Sequence, residues 1–475
     1  MSSSRRALAA IVVLAAALRF AGIGEQSFWL DEAFTKRIVD HGLGDMPDLI
    51  RGGENTPPLY YVLAWAWTHV FGACEPGLRS LSALAGTATV PVAYLIGRQV
   101  ASRAAGLVLA GLVAVSPFLV WYSQESRSYA LVVLLASLTL LYALRFGDEP
   151  SRRNLVSWSV AAALALATHY FAAFVVAAEV AWMLRRPADR RRVALACIPM
   201  LVVGLALVPL ALDQRHNGGA QVGSASIASR TGSTAKELLV GKYGGPVRGI
   251  GPLCALLVAA ALALAFARAT PEQRRRLALP LAIGAAVLLM PLALAVAGVD
   301  YFAARYVAVA WVPLFAGVAA ALALPRARPA GLALAAALGA LFLVVSVSVA
   351  LTPRLQRDDW RSAAAALGRP RTERVILVSP DVGFVPLRVY EPEIEAPPGP
   401  RFPVREIDAI VMTRDGRAPP LTPPAPGFRV LATDRDPTYV LARFVSARPR
   451  QVTIAALAAR RYTPDPTGLV YERAR

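Results

Sequence analysis

The sequence predicts an α-helical polytopic membrane protein with about eleven transmembrane helices, one outer interfacial helix and a small C-terminal α/β extracytoplasmic domain. Hydrophobic residues make up 56% of the 475 residues and the mean hydropathy is +0.49, which is too apolar for an ordinary soluble protein. Apolar runs of membrane-spanning length recur through the first three quarters of the chain. From Thr352 onward the composition changes to short apolar runs between proline-rich loops. We therefore predict a transmembrane domain over residues 1–351 and a second domain over residues 352–475.

The net charge of +19 comes mostly from arginine clusters between the apolar segments. This pattern is the orientation signal of membrane proteins and not the footprint of a nucleic-acid-binding protein, so we expect no nucleic-acid partner. The three cysteines, Cys74, Cys197 and Cys254, lie in or beside apolar segments. They form no CxxC or similar spacing, so neither a disulfide framework nor a zinc site is expected.

The first apolar segment, residues 7–20, follows Arg5 and Arg6 and is interrupted by Arg19. A cleaved signal peptide is the alternative, but many further spans follow, so we predict an uncleaved first helix. We expect Arg19 to extend towards the outer interface. The remaining predicted spans are Leu81–Gly97, Ala104–Trp121, Tyr129–Leu144, Leu155–Thr168, Phe171–Leu184, Val193–Leu212, Ile250–Ala267, Leu277–Gly298, Tyr306–Leu324 and Ala330–Leu351.

Residues 57–71 are predicted to lie at the outer interface instead of crossing the membrane. This run is short of the roughly 20 residues that a span needs. Counting it as a span would also place Arg98 and Arg103 outside and invert every later loop. With this helix inside a first outer loop over residues 25–80, the N-terminus lies in the cytoplasm and the C-terminal domain lies outside.

Two further stretches have distinct patterns. The run from Leu155 to Leu184 has arginine clusters at both ends, so the chain must turn back near His169. Residues 213–249 are polar and rich in glycine and serine, which predicts a mobile outer loop.

The C-terminal domain is predicted to contain an alanine-rich helix after Asp358-Asp359-Trp360-Arg361 and four strands. The strands are predicted at residues 374–378, 407–412, 428–432 and 439–444. The domain has no cysteine and no phosphate-binding glycine loop. Its role cannot be inferred from the sequence.

This topology places several polar residues at the outer boundary, although they are distant in sequence. Asp31 and Glu32 follow the first span, Gln124 and Glu125 follow the third, His169 and Tyr170 form the outer turn, and Arg305 begins the tenth span. A carboxylate can take the proton of an attacking hydroxyl, and a guanidinium can hold a departing phosphate. The arrangement predicts transfer from a lipid-linked phosphate at the membrane surface.

Each of these residues also has a structural interpretation. Asp31 could be a solvated loop acid, and Glu32 could cap a following helix. Glu125 could pair with Arg127 to close a turn. Gln124 and His169 could form hydrogen bonds within tight turns, and Arg305 could be an interfacial arginine.

Five motifs resemble the polytopic C-type glycosyltransferases, above all the bacterial protein O-mannosyltransferase and aminoarabinose-transferase group (glycosyltransferase family 39-like). They are FWLDEAFT, NTPPLYY, SPFLVWYSQESRSYAL, ATHYFAAF and DYFAARYVAV, in the family order. The resemblance covers about residues 5–350. It departs from the aminoarabinose transferases at Thr56, where they have a basic residue before Pro-Pro, and this argues against a lipid A acceptor.

The resemblance implies a polyprenyl-phosphate-linked sugar donor and an inverting displacement on the outer face. It implies Asp31 as catalytic base with Glu32 adjacent, Glu125 as the second acidic motif and Arg305 as the phosphate-facing arginine. Gln124, His169, Tyr170 and Tyr60 complete the predicted substrate-binding set. A divalent metal at Asp31, Glu32 and Glu125 is chemically possible, but we predict none, because this group generally needs no metal for transfer.

We expect the protein to be a hexosyl- or pentosyltransferase in the cytoplasmic membrane of a bacterium, with membrane lipid around it. Its acceptor would be a glycan, a glycolipid or a protein. The alternatives are a transporter or flippase of a lipid-linked or small anionic substrate, and a ligase or polymerase of lipid-linked glycans. Transporters tend to show internal repeats and charges near the bilayer midplane, and the sequence has no convincing repeat.

Overall fold

A computed structural model describes residues 3–215, 217, 225–244, 246–413 and 420–474. The chain forms two compact units. The helical unit contains Met1–Ile23 and Ile38–Ser348, and the sheet unit contains Gly24–Arg37 and Val349–Arg475. The sequence predicts a division after residue 351 and assigns the whole first outer loop to the first domain. In the structure, Gly24–Arg37 and the C-terminal residues instead form one compact unit.

Seventeen helices cover most of the first 351 residues within the described ranges. They are α1 (Ser3–Phe20), α2 (Leu30–Asp40), α3 (Met46–Gly53), α4 (Leu59–Phe71), α5 (Glu75–Val100), α6 (Arg103–Val115), α7 (Pro117–Ser123), α8 (Tyr129–Asp148), α9 (Arg152–Thr168), α10 (Ala172–Met183), α11 (Arg190–Ala196), α12 (Ile198–Gln214), α13 (Ile227–Val240), α14 (Ile250–Arg268), α15 (Pro271–Val296), α16 (Trp311–Leu322) and α17 (Arg328–Leu351).

Every predicted span coincides with a helix or with a helix pair. Among the described residues, five helices are long and apolar enough to cross a membrane, or up to seven if each bent pair is one span. The total of eleven therefore stays a prediction. Large apolar side chains are exposed on several of these helices, including Leu205 at 71%, Phe266 at 77% and Val296 at 72%. Exposed apolar faces of this kind are typical of helices that contact lipid.

Helix α4 forms where the interfacial helix is predicted. Its 13 residues give a length of about 20 Å, which is short of the hydrocarbon core of a bilayer. Helices α9 and α10 are likewise separate, because α9 ends at Thr168 and the extended backbone of His169 prevents continuation. This break confirms the predicted turn.

The third predicted span is broken at Ser116-Pro117, where α6 and α7 meet at an angle of 57°. Proline lacks an N–H and cannot continue the α6 hydrogen-bond ladder, so carbonyl groups of the last α6 turn need other partners. The Arg19 guanidinium donates to the carbonyl oxygens of Val113 and Ala114, each at 2.9 Å. Ser346 donates to the carbonyl of Val115 at 2.9 Å.

The prediction for Arg19 is therefore wrong. The side chain does not extend to the interface but is fully buried, and its Nε donates to Ser123 Oγ of α7 at 3.1 Å. Its positive charge lies at the C-terminal end of α6, where the helix dipole favours a cation. Because one side chain contacts both halves of the broken span, Arg19 fixes the direction in which α7 leaves the break.

Besides most of α2, the sheet unit contains five strands and three α-helices within its described residues from Trp360 onward. The strands are β1 (Arg374–Ser379), β2 (Arg401–Met412), β3 (Arg429–Arg435), β4 (Tyr439–Thr453) and β5 (Gly468–Glu472), in the order β3-β4-β2-β1-β5. Strands β1 and β2 are parallel and the other pairs are antiparallel. Helices α18 (Trp360–Leu367), α19 (Phe384–Tyr390) and α20 (Ile454–Ala458) complete the unit.

Successive apolar residues of β1 point to opposite faces of the sheet, and both faces are buried. One face packs Ile376, Val378 and Leu441 against Trp360 of α18. The four predicted strands and the alanine-rich helix are confirmed, whereas β5, α19 and α20 were not predicted.

We predict that Arg19→Leu lowers the free energy of unfolding by at least about 2 kcal/mol, because buried α6 carbonyls lose a charged donor. Arg6→Leu, an exposed change on the same helix, is the matched control and should have little effect. Thermal unfolding of both purified variants in detergent measures this. Equal unfolding temperatures for the two variants would refute the role of Arg19.

Candidate functional site

The structure divides the predicted site residues between the two units. Asp31 and Glu32 lie in the sheet unit. The others lie in the helical unit: Tyr60, Gln124, Glu125, His169, Tyr170 and Arg305. The two groups are therefore described separately.

Asp31 and Glu32 occupy the first turn of α2, where carboxylates interact favourably with the helix dipole. The Glu32 side chain is fully buried, whereas Asp31 is half-buried and retains access to solvent. Of the two acids, Asp31 is therefore the one that a dissolved or membrane-bound substrate can reach from solvent.

Hydrogen bonds within the sheet unit hold the segment that precedes α2. Ser27 Oγ donates to the carbonyl of Asp358 and accepts from the backbone N–H of Trp360, both at 2.9 Å. The backbone N–H of Phe28 donates to the Tyr390 hydroxyl at 2.6 Å. These bonds explain why residues 24–37 cluster with the C-terminal residues, and they fix the start of α2.

In the helical unit, Glu54 and Arg127 form a bidentate ion pair. Arg127 Nη1 lies 2.5 Å from Glu54 Oε1, and Arg127 Nη2 lies 2.6 Å from Glu54 Oε2. Both side chains are buried. The pair joins the loop before α4 to the turn between α7 and α8. The sequence interpretation that pairs Arg127 with Glu125 misses Glu54, whose position beside Arg127 depends on tertiary packing.

Glu125 lies inside that same turn, and its side chain is fully buried. The backbone N–H of Arg127 donates to the Glu125 carbonyl at 2.8 Å, which tightens the turn. The ion pair and this backbone bond together hold the turn that carries Glu125.

Two predicted substrate-binding residues have structural contacts instead. Gln124 Nε2 donates to the carbonyls of Leu18, Arg19 and Ala21, so it caps the C-terminal end of α1. The Tyr60 hydroxyl is buried and hydrogen-bonds to Ser82 Oγ at 3.0 Å. These contacts do not test substrate binding, so the roles of Gln124 and Tyr60 stay predictions.

His169 is buried in the turn between α9 and α10, and its ring is neutral. The Phe171 backbone N–H donates to His169 Nδ1 at 3.1 Å, so Nδ1 carries a lone pair and the ring proton lies on Nε2. Burial, reinforced by the positive charges of Arg127 and Arg305, lowers the pKa of His169 to about 3. At neutral pH this side chain is a hydrogen-bond donor without charge.

Arg305 lies beside Tyr306. Its guanidinium carbon is 5.1 Å from the centre of the Tyr306 ring, and the Tyr306 ring is 5.6 Å from that of His169. The Arg305 guanidinium and the Tyr306 ring are thus arranged as in a cation–π contact. Arg305 and His169 therefore lie around the same tyrosine.

The predicted mobile loop contains a helix. Helix α13 is held by Arg230, which makes a bidentate ion pair with Asp300 and donates to the Phe302 carbonyl at 2.9 Å. Trp311 Nε1 donates to the Leu238 carbonyl at 2.9 Å. The sequence did not predict this helix. The mobility of residues 213–249 stays a prediction, and residues 216, 218–224 and 245 lie outside the described residues.

Helix α13 also brings Glu237 towards Arg305, which sequence reasoning did not identify. Burial raises the pKa of Glu237, and Lys242, Lys236 and Arg305 oppose this rise through their positive charges. Glu237 lies in a polar segment that contains no recognisable motif. The one sequence signal for a buried helix face is the adjacent apolar residue Leu238, which is buried.

A cavity of about 630 Å³ lies within the helical unit, between the turn after α9, the end of α12 and the loop after α15. Its volume is within the range of small-molecule sites. The polar and aromatic residues that line it are Asn55, His169, Tyr170, Phe171, Gln214, Arg215, Asp300, Tyr301 and Tyr306. Two predicted site residues, His169 and Tyr170, therefore share one concave site.

Over the described ranges, no three His, Cys, Asp or Glu side chains are arranged to hold a metal ion. The metal independence of the reaction stays a prediction, based on the family resemblance.

Comparison with known proteins identifies similar folds. A family model described as dolichyl-phosphate-mannose-protein mannosyltransferase matches residues 55–212. No curated protein sequence matches the chain significantly. Two crystal structures of ArnT from Cupriavidus metallidurans, one bound to undecaprenyl phosphate and one in the apo state, each align over 93% of this chain and 98% of their own, with a TM-score of 0.58. Their sequence identities to this chain are 12% and 14% respectively.

An oligosaccharyltransferase from Archaeoglobus fulgidus, tethered with an acceptor peptide, aligns over 77% of this chain and 57% of its own, with 13% identity and a TM-score of 0.47. The ArnT alignment shows that this chain has the same fold. Together with the family model, it confirms the resemblance to the C-type glycosyltransferases that the motifs indicate.

We predict that Glu54→Gln lowers the free energy of unfolding by about 3–5 kcal/mol, because it leaves the buried Arg127 charge without its carboxylate. The control is Asp48→Asn, which breaks the exposed Asp48–Arg51 pair and should cost less than about 1 kcal/mol. Chemical unfolding of both variants in detergent provides the comparison. Equal costs would show that the Glu54–Arg127 pair does not organise this region.

Proposed function

We propose that the protein is an integral membrane glycosyltransferase that transfers one sugar from a polyprenyl-phosphate donor to an acceptor on the outer face of a bacterial cytoplasmic membrane. The observation that carries this proposal is the fold shared with ArnT over 98% of that chain, including a structure bound to undecaprenyl phosphate. The match of residues 55–212 to a family named for a dolichyl-phosphate-linked donor supports the same donor class.

In the proposed reaction the acceptor hydroxyl oxygen attacks the anomeric carbon of the donor sugar. The bond between that carbon and the phosphate oxygen breaks, and polyprenyl phosphate leaves with the bonding electrons. Asp31 takes the acceptor proton, a step that usually contributes about 10²–10⁴-fold. The half-buried position of Asp31 supports this assignment over Glu32, whose buried side chain we assign to positioning the turn.

We assign the leaving phosphate to Arg305. A guanidinium keeps its charge at any physiological pH and can donate two parallel hydrogen bonds to a phosphate. As polyprenyl phosphate departs, its oxygen gains negative charge, which the fixed positive charge of Arg305 stabilises. The Tyr306 ring beneath the guanidinium restricts its orientation.

We assign Glu125 to substrate hydroxyl groups. Its carboxylate lies in a rigid turn, held by the neighbouring Glu54–Arg127 pair. A buried carboxylate accepts hydrogen bonds from sugar hydroxyls more strongly than a neutral acceptor does. On chemical grounds the proposed acceptors remain a glycan, a glycolipid or a protein.

We predict that Asp31→Asn reduces sugar transfer by at least about 100-fold, because the amide cannot take the acceptor proton. Membranes with equal amounts of each variant are supplied with radiolabelled polyprenyl-phosphate-linked sugar and acceptor extract. Asp40→Asn, an exposed change on the same helix, serves as the control and should transfer normally. Normal transfer by Asp31→Asn would eliminate Asp31 as the base.

We predict that Arg305→Ala weakens donor use, lowering kcat/KM for the donor by about 10²-fold or more, because transition-state charge loses its partner. Arg305→Lys keeps the charge but not the bidentate geometry and should recover part of the loss. Arg248→Ala, an exposed change, is the control. Unchanged donor kinetics in a well-folded Arg305→Ala protein would contradict the phosphate role.

A further inference from the structure

The cavity described above contains two buried polar atoms that lack hydrogen-bond partners. Among the described residues, Asn55 Oδ1 and His169 Nε2 are both buried and without a partner. Leaving such an atom unpaired costs about 1–3 kcal/mol. Two of them at the same cavity indicate that a ligand supplies the missing partners.

Other polar groups around the cavity already have partners. Tyr170 donates to Gln214 Oε1 at 2.7 Å, and Gln214 Nε2 donates to the Ile50 carbonyl at 3.1 Å. The Tyr301 hydroxyl donates to the Arg215 carbonyl at 2.9 Å. Unlike these neighbouring groups, Asn55 Oδ1 and His169 Nε2 lack hydrogen-bond partners.

The two atoms have opposite hydrogen-bonding character. Asn55 Oδ1 accepts, whereas His169 Nε2 carries the ring proton and donates, as the contact from Phe171 requires. A phosphate dianion or a phosphodiester would satisfy His169 but has no proton to donate to Asn55. An ammonium group would satisfy Asn55 but cannot accept from His169. A hydroxyl group both donates and accepts, so hydroxyl groups satisfy both residues.

The charges around the cavity argue against a cationic ligand, because the described lining includes the positively charged Arg215. Within the described lining, Asp300 is the one carboxylate, and Arg230 neutralises it through a bidentate ion pair. The pair also holds the pKa of Asp300 below its usual range, so Asp300 stays ionised and bound to Arg230. A cationic amino sugar would therefore find no uncommitted carboxylate there.

We infer that this cavity binds a neutral sugar ring, with Asn55 accepting from one hydroxyl and His169 donating to a hydroxyl oxygen. The aromatic rings of Tyr170, Phe171, Tyr301 and Tyr306 line the same space and provide the apolar surface against which a sugar ring packs. The inference rests on the proposed function, because it identifies the ring as the sugar of the lipid-linked donor. It names a specificity residue, Asn55, that neither the motifs nor the fold comparison assigns.

The test measures binding separately from transfer. The purified full-length chain in detergent is titrated with three lipids: polyprenyl phosphate, the same lipid linked to a neutral hexose, and the same lipid linked to an aminopentose. Binding is measured by native mass spectrometry. We expect the hexose-linked lipid to bind more tightly than the other two.

Asn55→Ala is expected to weaken binding of the hexose-linked lipid by about five- to tenfold, the effect of losing one hydrogen bond, without weakening plain polyprenyl phosphate. His169→Asn keeps an acceptor for the Phe171 N–H but removes the Nε2 donor, and should have a similar effect. His169→Gln keeps a donor near Nε2 and should retain most of the binding. Asn55→Asp should shift preference towards the aminopentose-linked lipid.

The controls are Asn154→Ala, at the opposite end of α9, and His69→Gln on α4, which should bind all three lipids normally. Equal loss of plain and hexose-linked lipid in Asn55→Ala and His169→Asn would show that the cavity holds phosphate and would overturn the inference. No loss in either variant would overturn it as well. Sugar-dependent binding without transfer to any acceptor would refute the proposed function while supporting the inference.

Discussion

The buried ion pair between Glu54 and Arg127 is the interaction on which the arrangement of the helical unit's site depends. Each partner has its charge matched by two short hydrogen bonds in a region from which water is excluded. Removal of either partner would leave an uncompensated buried charge, so separating the two segments that carry them costs a large free energy. Asn55 directly follows Glu54, and Glu125 lies two residues before Arg127, so the pair holds the two segments that carry these residues.

Burial and nearby positive charge keep the His169 ring neutral in the same region. Burial lowers the pKa of His169, and the positive charges of Arg127 and Arg305 lower it further. The result is a site with a permanently charged guanidinium, a neutral donor and a buried carboxylate. Such a set suits a substrate in which an anionic phosphate and an uncharged sugar are neighbours, because each part meets a group of matching character.

Much of the fold could be predicted from the sequence because it follows from local patterns. Long apolar runs predict helices, arginine clusters place the turn at His169, and short apolar runs between proline-rich loops predict four strands of the sheet. The contacts of Arg19, Gln124 and Glu54 could not be predicted, because their partners lie far away in sequence. For Arg19 and Gln124 these partners include backbone carbonyls at the C-terminal end of another helix, which no sequence motif marks. The same reason hid β5, a five-residue edge strand, and the bonds that tie residues 24–37 to the sheet unit. Of the site, His169, Tyr170 and Arg305 followed from topology and resemblance, whereas Asn55 and Glu237 required three-dimensional information.

The most direct test of the central claim follows the fate of the donor lipid. The purified protein is reconstituted in liposomes that contain a polyprenyl-phosphate-linked sugar, acceptor is added, and the lipids are analysed by mass spectrometry. We expect free polyprenyl phosphate to accumulate in equal amount to the glycosylated acceptor. Movement of intact donor lipid between leaflets, with no free polyprenyl phosphate and no glycosylated acceptor, would contradict the account and identify a flippase.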